Sequence, residues 1–256
     1  MTEPVRHDTP IIRAEHLVCG YDDKVILDDV SFEVKRGEVF VILGGSGCGK
    51  STLLKNLIGL YRPLSGQIWF GDDELTALNG AARLALYQRF GVAYQSGALF
   101  GSLTVLENVM LPLTEHTPLD AAAVELIARL KLRLVGLEAF ADYVPASLSG
   151  GMQKRVAIAR AIALDPEIVF LDEPSAGLDP VTGAELDALI LQLSHSLGLT
   201  FVVVTHELAS IMAIADTALM LDASVRGVIA VGPPAELAAH STDERVQRFF
   251  QRKVAA

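Results

Sequence analysis

Gly44-Gly45-Ser46-Gly47-Cys48-Gly49-Lys50-Ser51 is a complete G-x-x-x-x-G-K-[ST] phosphate loop, and few folds accommodate one. The motif works between a buried strand and the first turn of a helix. Both flanks comply: behind Glu38, Val39 to Leu43 is a continuous apolar run suited to a parallel strand buried on both faces, and Thr52 to Ile58 has helical spacing. The glycines let the backbone turn its N–H groups around phosphate oxygens, and the helix start adds partial positive charge. Gly44 to Thr52 is therefore expected to bind a nucleotide, with Lys50 reaching the β- and γ-phosphates and the Ser51 hydroxyl on Mg²⁺.

Composition narrows the setting. Hydrophobic residues make up 51% of the 256 and mean hydropathy is +0.38, high values that point to a well-packed core and a partner surface. The longest apolar candidate, Leu199 to Leu221, is interrupted by His206, Glu207 and Asp216, so no membrane span is expected from it. Nor does the start read as a signal peptide, because Glu3, Arg6, His7 and Asp8 fill it. Cys19 and Cys48 are the only cysteines, and Cys48 lies in the phosphate loop; a structural disulfide is not expected and a reducing cytoplasm fits. Twenty-one basic against 31 acidic residues give a net charge of −10, which argues against a nucleic-acid partner.

Along the chain, residues 1–10 read as a loose terminus, and the alternation in 11–17 and 25–34 predicts antiparallel strands. Tyr21, in the Gly-Tyr-Asp-Asp turn between them, is suited either to stacking on an adenine ring or to packing on its own strands. A short strand follows at 67–70, a helix at 78–89 and a strand at 90–95 ended by Gln95, which faces a ligand or simply bonds the strand end. Residues 101–147 predict a helical insertion, with Pro112, Pro118 and Pro145 as breaks. Ser149 caps the next helix, and Gly150 and Gly151 in its first turn cost about 1 kcal/mol each, so a bound anion is one compensation.

Ile168 to Leu171 is a buried strand that runs into Asp172 and Glu173. Adjacent acids there are costly unless they face a cation or do proton chemistry, surface placement being the alternative; Asp172 suits Mg²⁺ coordination and Glu173 suits polarising an attacking water. The strand 200–205 delivers His206 to the sheet edge where such folds bind ligands, although a lone histidine there also serves as a structural hydrogen-bonding group. Asp179 and Pro180 open a further helix. Ala218 to Val231 predicts two strands around a turn, and in the tail Val246, Phe249 and Phe250 share a face, with Arg245, Arg248, Arg252 and Lys253 elsewhere. That face fits partner docking and packing on its own domain equally.

Gly44 to Ser51, Gln95, Leu148 to Met152, Ile168 to Glu173, Asp179 and His206, in this order, resemble the ATPase subunits of ABC transporters. The resemblance covers nearly the whole chain. It implies an α/β fold: a RecA-like P-loop NTPase core with an N-terminal antiparallel β subdomain and an α-helical subdomain inserted at about 98–158, one domain over 10–240 and a tail over 241–256. It implies ATP and Mg²⁺ as cofactors and ATP hydrolysis as the activity. Tyr21 becomes the adenine-stacking aromatic, Gln95 the glutamine near Mg²⁺ and water, Glu173 the catalytic base, Asp179 the D-loop aspartate and His206 the γ-phosphate switch. Ser149, Gly150, Gly151 and Met152 form the signature that binds ATP in trans in a head-to-tail homodimer.

Most of the family has Gln where Met152 stands. Leu-Ser-Gly-Gly-Met, with Tyr94 to Phe100 and Ser102 to Val109, is similar to the MlaF branch, the ATPases of MCE-protein lipid transport systems. That likeness implies an MlaE-like permease, an MlaD-like MCE protein, an MlaB-like STAS protein, phospholipid cargo and a peripheral location on the cytoplasmic face of the inner membrane. Ser175 to Asp179 follows the general family pattern and adds nothing to this branch. A small-solute, amino-acid-type importer shares the core motifs. Soluble members acting on DNA or ribosomes fit less well, because only 98 positions separate Ser51 from Ser149 and their texture is not heptad. Glu173 and His206 speak against a non-hydrolysing ATP sensor.

Overall fold

Alternating burial along β1 (Pro10–Tyr21) and β2 (Lys24–Lys35) sets one face of an antiparallel pair inward. The computed structural model describes residues 10–21 and 24–251; the expectations for 1–9, for Asp22 and Asp23 of the turn, and for Arg252 and Lys253 lie outside them. The apolar run behaves as its composition requires. Every residue of β3 (Val39–Gly44) is buried, and α1 (Lys50–Leu57) follows the phosphate loop. Then come β4 (Ser65–Phe70), the two-residue β5 (Asp73–Glu74), α2 (Gly80–Tyr87) and β6 (Phe90–Ala93). Two adjoining sheets result. The antiparallel one runs β2-β1-β4-β5.

Helices α3 (Val105–His116), α4 (Ala121–Leu134) and α5 (Gly150–Ala161) come next, then β7 (Ile168–Asp172), α6 (Pro180–Leu197), β8 (Thr200–Val204), α7 (Leu208–Ile214), β9 (Thr217–Asp222), β10 (Gly227–Gly232), α8 (Pro234–His240) and α9 (Glu244–Gln251). The second sheet runs β10-β9-β3-β8-β7-β6, parallel throughout except for the β9/β10 hairpin. Because side chains alternate along a strand, β3 feeds two cores. Val39, Val41 and Leu43 join the core beneath α3 to α7, while Phe40 and Ile42 join one shared with α1 and the antiparallel sheet. Phe70 of β4 stacks on Phe90 of β6 at 5.3 Å and meets Phe170 of β7 edge-on at 6.4 Å. Fully burying a side chain such as Phe70 or Phe170 contributes roughly 1.5–3 kcal/mol, and the cluster ties the two sheets together.

Two expectations are corrected. Pro112 does not break its helix but lies inside α3. It only forgoes the N–H bond to residue 108, and α3 holds because Thr104 and Glu107 form a reciprocal capping box at its start and its buried face packs into the core. The strand expected to end at Gln95 ends at Ala93, so Gln95 stands on a loop. Of the two readings open for the tail face, the structure shows packing on its own domain: Val246 is fully buried, and Phe249 and Phe250 pack against the core from α9.

Candidate functional site

Backbone geometry explains the loop glycines. A Cβ at Gly44 (φ 148°) would lie 2.4 Å from the Leu221 carbonyl oxygen of β9 and 2.6 Å from Cys48 Sγ, and one at Gly49 (φ 104°) 2.8 Å from Leu27. Only glycine fits either place. Gly49 caps α1 without any side-chain bond, so the first-turn N–H groups point at the loop with no side chain covering them. Lys50 Nζ donates to the carbonyl oxygens of Gly44 (2.9 Å) and Gly45 (3.0 Å), which holds the ammonium against the loop. Cys48 is buried, and burial pushes its thiol up. Tyr21 lies beside this segment, its hydroxyl 3.1 Å from Thr52 Oγ1 and its ring edge-on to Tyr61 at 5.2 Å.

The two acids sit where β7 ends. Asp172 closes the strand, and Glu173 takes a left-handed backbone (φ 46°) while its N–H donates to the Val204 carbonyl at 2.8 Å. A non-glycine residue held there costs on the order of 1–3 kcal/mol, and such strain clusters at functional sites. The turn aims the Glu173 side chain at His206, with Oε1 and Nδ1 2.8 Å apart. Among the described residues, Glu173 Oε2 and Asp172 Oδ1 are buried without a hydrogen-bond partner. Burial above all, then the charge of Glu173, raises the Asp172 carboxyl, while Lys55, Lys154 and Lys50 oppose the shift.

A cation fits here. Two neighbouring orphaned carboxylate oxygens supply what burial otherwise penalises, and no cluster of three or more metal-binding side chains occurs among the described residues. Carboxylate oxygens are the hard donors Mg²⁺ takes, and one or two of them with substrate phosphates, not a closed all-protein cage, is how it is usually held.

The other residues expected in the site have local duties as well. Ser149 Oγ accepts from the Met152 N–H at 3.3 Å and so caps α5. Gly151 has a packing reason that local pattern does not carry: a Cβ would stand 2.4 Å from Thr182 Cγ2 on α6. Thr182 cannot turn away cheaply, since its Oγ1 donates to Asp179 Oδ2 at 2.6 Å. Asp179 caps α6 through Oδ1, which accepts from Val181 and Thr182 N–H, and the bonds with Thr182 hold its carboxyl below the usual range. Gln95 is exposed, and its carbonyl oxygen accepts a bond from Lys154 Nζ. Nothing in the sequence marks Lys154, which reads as one more cation on a helix. No hydrogen bond among the described residues joins 149–152 to 44–52.

A differential test follows for Gly150 and Gly151. Gly151→Ala is expected to destabilise by about 1–3 kcal/mol through overpacking, lowering the midpoint of thermal unfolding by several degrees at roughly 2–4 °C per kcal/mol. Gly150→Ala, whose Cβ would meet only Leu178 at 3.6 Å, is expected to stay within about 0.5 kcal/mol. Equal midpoints for the two variants would discard the Thr182 contact as the constraint.

The ABC transporter family pattern matches residues 27–176. The chain belongs to the ABC transporter family. Among curated members, the intermembrane phospholipid transport ATP-binding protein MlaF of Haemophilus influenzae is 38% identical over 94% of this chain and 90% of its own length. Its Escherichia coli K12 counterpart is 40% identical over 89% and 84%. The methionine import ATP-binding protein MetN of Xanthomonas campestris is 40% identical over 88% of this chain and 66% of its own length. Of solved ABC structures, the CbiO1 subunit of the Clostridium perfringens CbiONQ complex superposes with a TM-score of 0.83 at 30% identity, covering 96% of each chain. A dimeric cassette in a post-hydrolysis state with ADP and phosphate gives 0.76 at 31% identity, covering 87% of this chain and 98% of that one. This ABC protein is an ATP-binding, ATP-hydrolysing subunit of a transporter. No described helix is long and apolar enough to cross a membrane.

Proposed function

We propose that this chain powers phospholipid movement between the membranes of a bacterial envelope. It works as a homodimer on the cytoplasmic face of the inner membrane, with an MlaE-like permease, an MlaD-like MCE protein and an MlaB-like STAS protein. The observation that carries this reading is the pair of MlaF relatives, which align with nearly the full chain, together with Met152 in the signature. We read residues 10–240 as one domain with a helical subdomain over about 98–158, and 241–256 as its tail.

Within that machine, Gly44 to Thr52 cradle the phosphates of ATP, Lys50 neutralises them and Tyr21 stacks on the adenine. Ser51, Asp172 and Gln95 would hold Mg²⁺, which on binding supplies neutralisation of developing phosphate charge. Support for this comes from the orphaned Asp172 oxygen. Glu173 accepts the proton of the attacking water, His206 holds that carboxylate and meets the γ-phosphate, and Asp179 shapes the turn after it. Ser149, Gly150, Gly151 and Met152 close over the ATP of the partner copy, and closure followed by release moves the permease.

A second reading, a small-solute importer, is favoured by the MetN relative at equal identity. Affinity purification from native membranes, with mass spectrometry of proteins and lipids, decides between them. The expected result is an MlaE-like permease with an MCE protein and phospholipid. A solute-importer permease discards the cargo and keeps the ATPase.

A further inference from the structure

Lys154 lies one turn into α5 from Ser149, and its ammonium reaches two main chains at once. It donates to the Gln95 carbonyl and, at 3.4 Å, to the Glu173 carbonyl. Those residues follow β6 and β7, which are neighbours in the parallel sheet, so one cation bridges the ends of two adjacent strands. Partial burial disfavours the ammonium, and the charges of Asp172, Glu173 and Glu207 work in the opposite sense. An ordinary structural lysine in such company would pair with a carboxylate. Here Asp172 Oδ1 and Glu173 Oε2 remain unpartnered, while the lysine's donors go to backbone oxygens. Further along α5, Arg160 donates to the carbonyls of Gly97 and Ala98, both at 2.9 Å. The whole segment 95–98 is thus strapped to α5 by two cations, and only Lys154 also holds Glu173.

We propose that Lys154 is a positioning residue for hydrolysis: it fixes Gln95 and Glu173 relative to each other and to the helix that begins at Ser149. The proposal rests on the reading of Gln95 and Glu173 as the residues that orient and activate the attacking water. Under it, a shift of α5 is transmitted to both of them through a single ammonium. Because hydrolysis demands placement to a fraction of an ångström, loosening this bridge acts on the chemical step and spares nucleotide binding.

The test measures steady-state ATP hydrolysis and thermal unfolding of the full-length chain as wild type, Lys154→Met, Lys154→Arg and Glu173→Gln. Lys154→Met keeps length and loses the donors, and its kcat is expected to fall roughly 10- to 100-fold with KM for ATP within about 3-fold. Its unfolding midpoint is expected within about 3 °C of wild type. Lys154→Arg, which retains charge and donors, is expected to recover most of the lost kcat. Wild-type kcat in Lys154→Met overturns the proposal. So does a loss carried by KM or by a collapsed unfolding midpoint, and so does an Arg variant no better than Met. Normal turnover by Glu173→Gln would instead remove the base assignment, an outcome read independently of the two Lys154 variants.

Discussion

Glu173→Gln is expected to bind ATP as wild type does and to lose turnover by about 10²- to 10⁴-fold, the range for removing a positioned general base. The substitution conserves shape. The strained backbone at residue 173, its bond to the Val204 carbonyl and the approach to His206 are all compatible with an amide, so stability is expected to change little. What disappears is the buried carboxylate, whose Oε2 has no hydrogen-bond partner among the described residues and which is the proposed acceptor of the water proton. A chain that binds but cannot hydrolyse accumulates in the ATP-bound closed dimer. Size-exclusion chromatography with ATP and Mg²⁺ is expected to find dimer for the variant where wild type returns to its resting state. Normal phosphate release by this variant rules Glu173 out as the base. Loss of ATP binding would show instead that the carboxylate serves the nucleotide pocket.

How much of this was legible in the residues depends on the range of the interaction. Strand β3 and its loop were open to reading because burial on both faces and the glycine spacing are local properties, and the same holds for the alternation of β1 and β2. The helical character of 101–147 was legible, but the continuity of α3 through Pro112 escaped because its stability comes from a capping box and core packing that outweigh one missing N–H. Gly151 illustrates the limit more sharply. Its first-turn position reads as a site for an anion, yet the Thr182 methyl, 31 positions later, already forbids a side chain there. The pairing of Glu173 with His206 and the two carbonyls on Lys154 likewise join distant segments that only the parallel sheet brings to one edge. Residue types were readable; which of them touch was not.

Lys50→Ala and Ser149→Arg are each expected to lower hydrolysis by roughly 10²- to 10³-fold, the usual cost of removing a preorganised electrostatic contact, and yet to complement one another when mixed. Among the described residues Lys50 hydrogen-bonds only carbonyls of its own loop, at Gly44 and Gly45, so its truncation damages the loop of its own chain. Ser149 is exposed and caps α5 by a single bond to Met152; Arg there loses that cap, worth about 0.5–2 kcal/mol, and projects bulk outward. If each ATP lies between the loop of one copy and the α5 start of the other, a mixed dimer contains one intact site and one doubly damaged site. Random pairing of equal amounts makes half the dimers mixed, so activity is expected to rise to about a quarter of wild type from near zero in both parents. Should each chain hold a complete site by itself, both members of a mixed dimer stay crippled and the mixture is as inactive as its parents. The comparison needs only two purified variants and a phosphate-release assay, and the sign of the change on mixing decides between one chain and two.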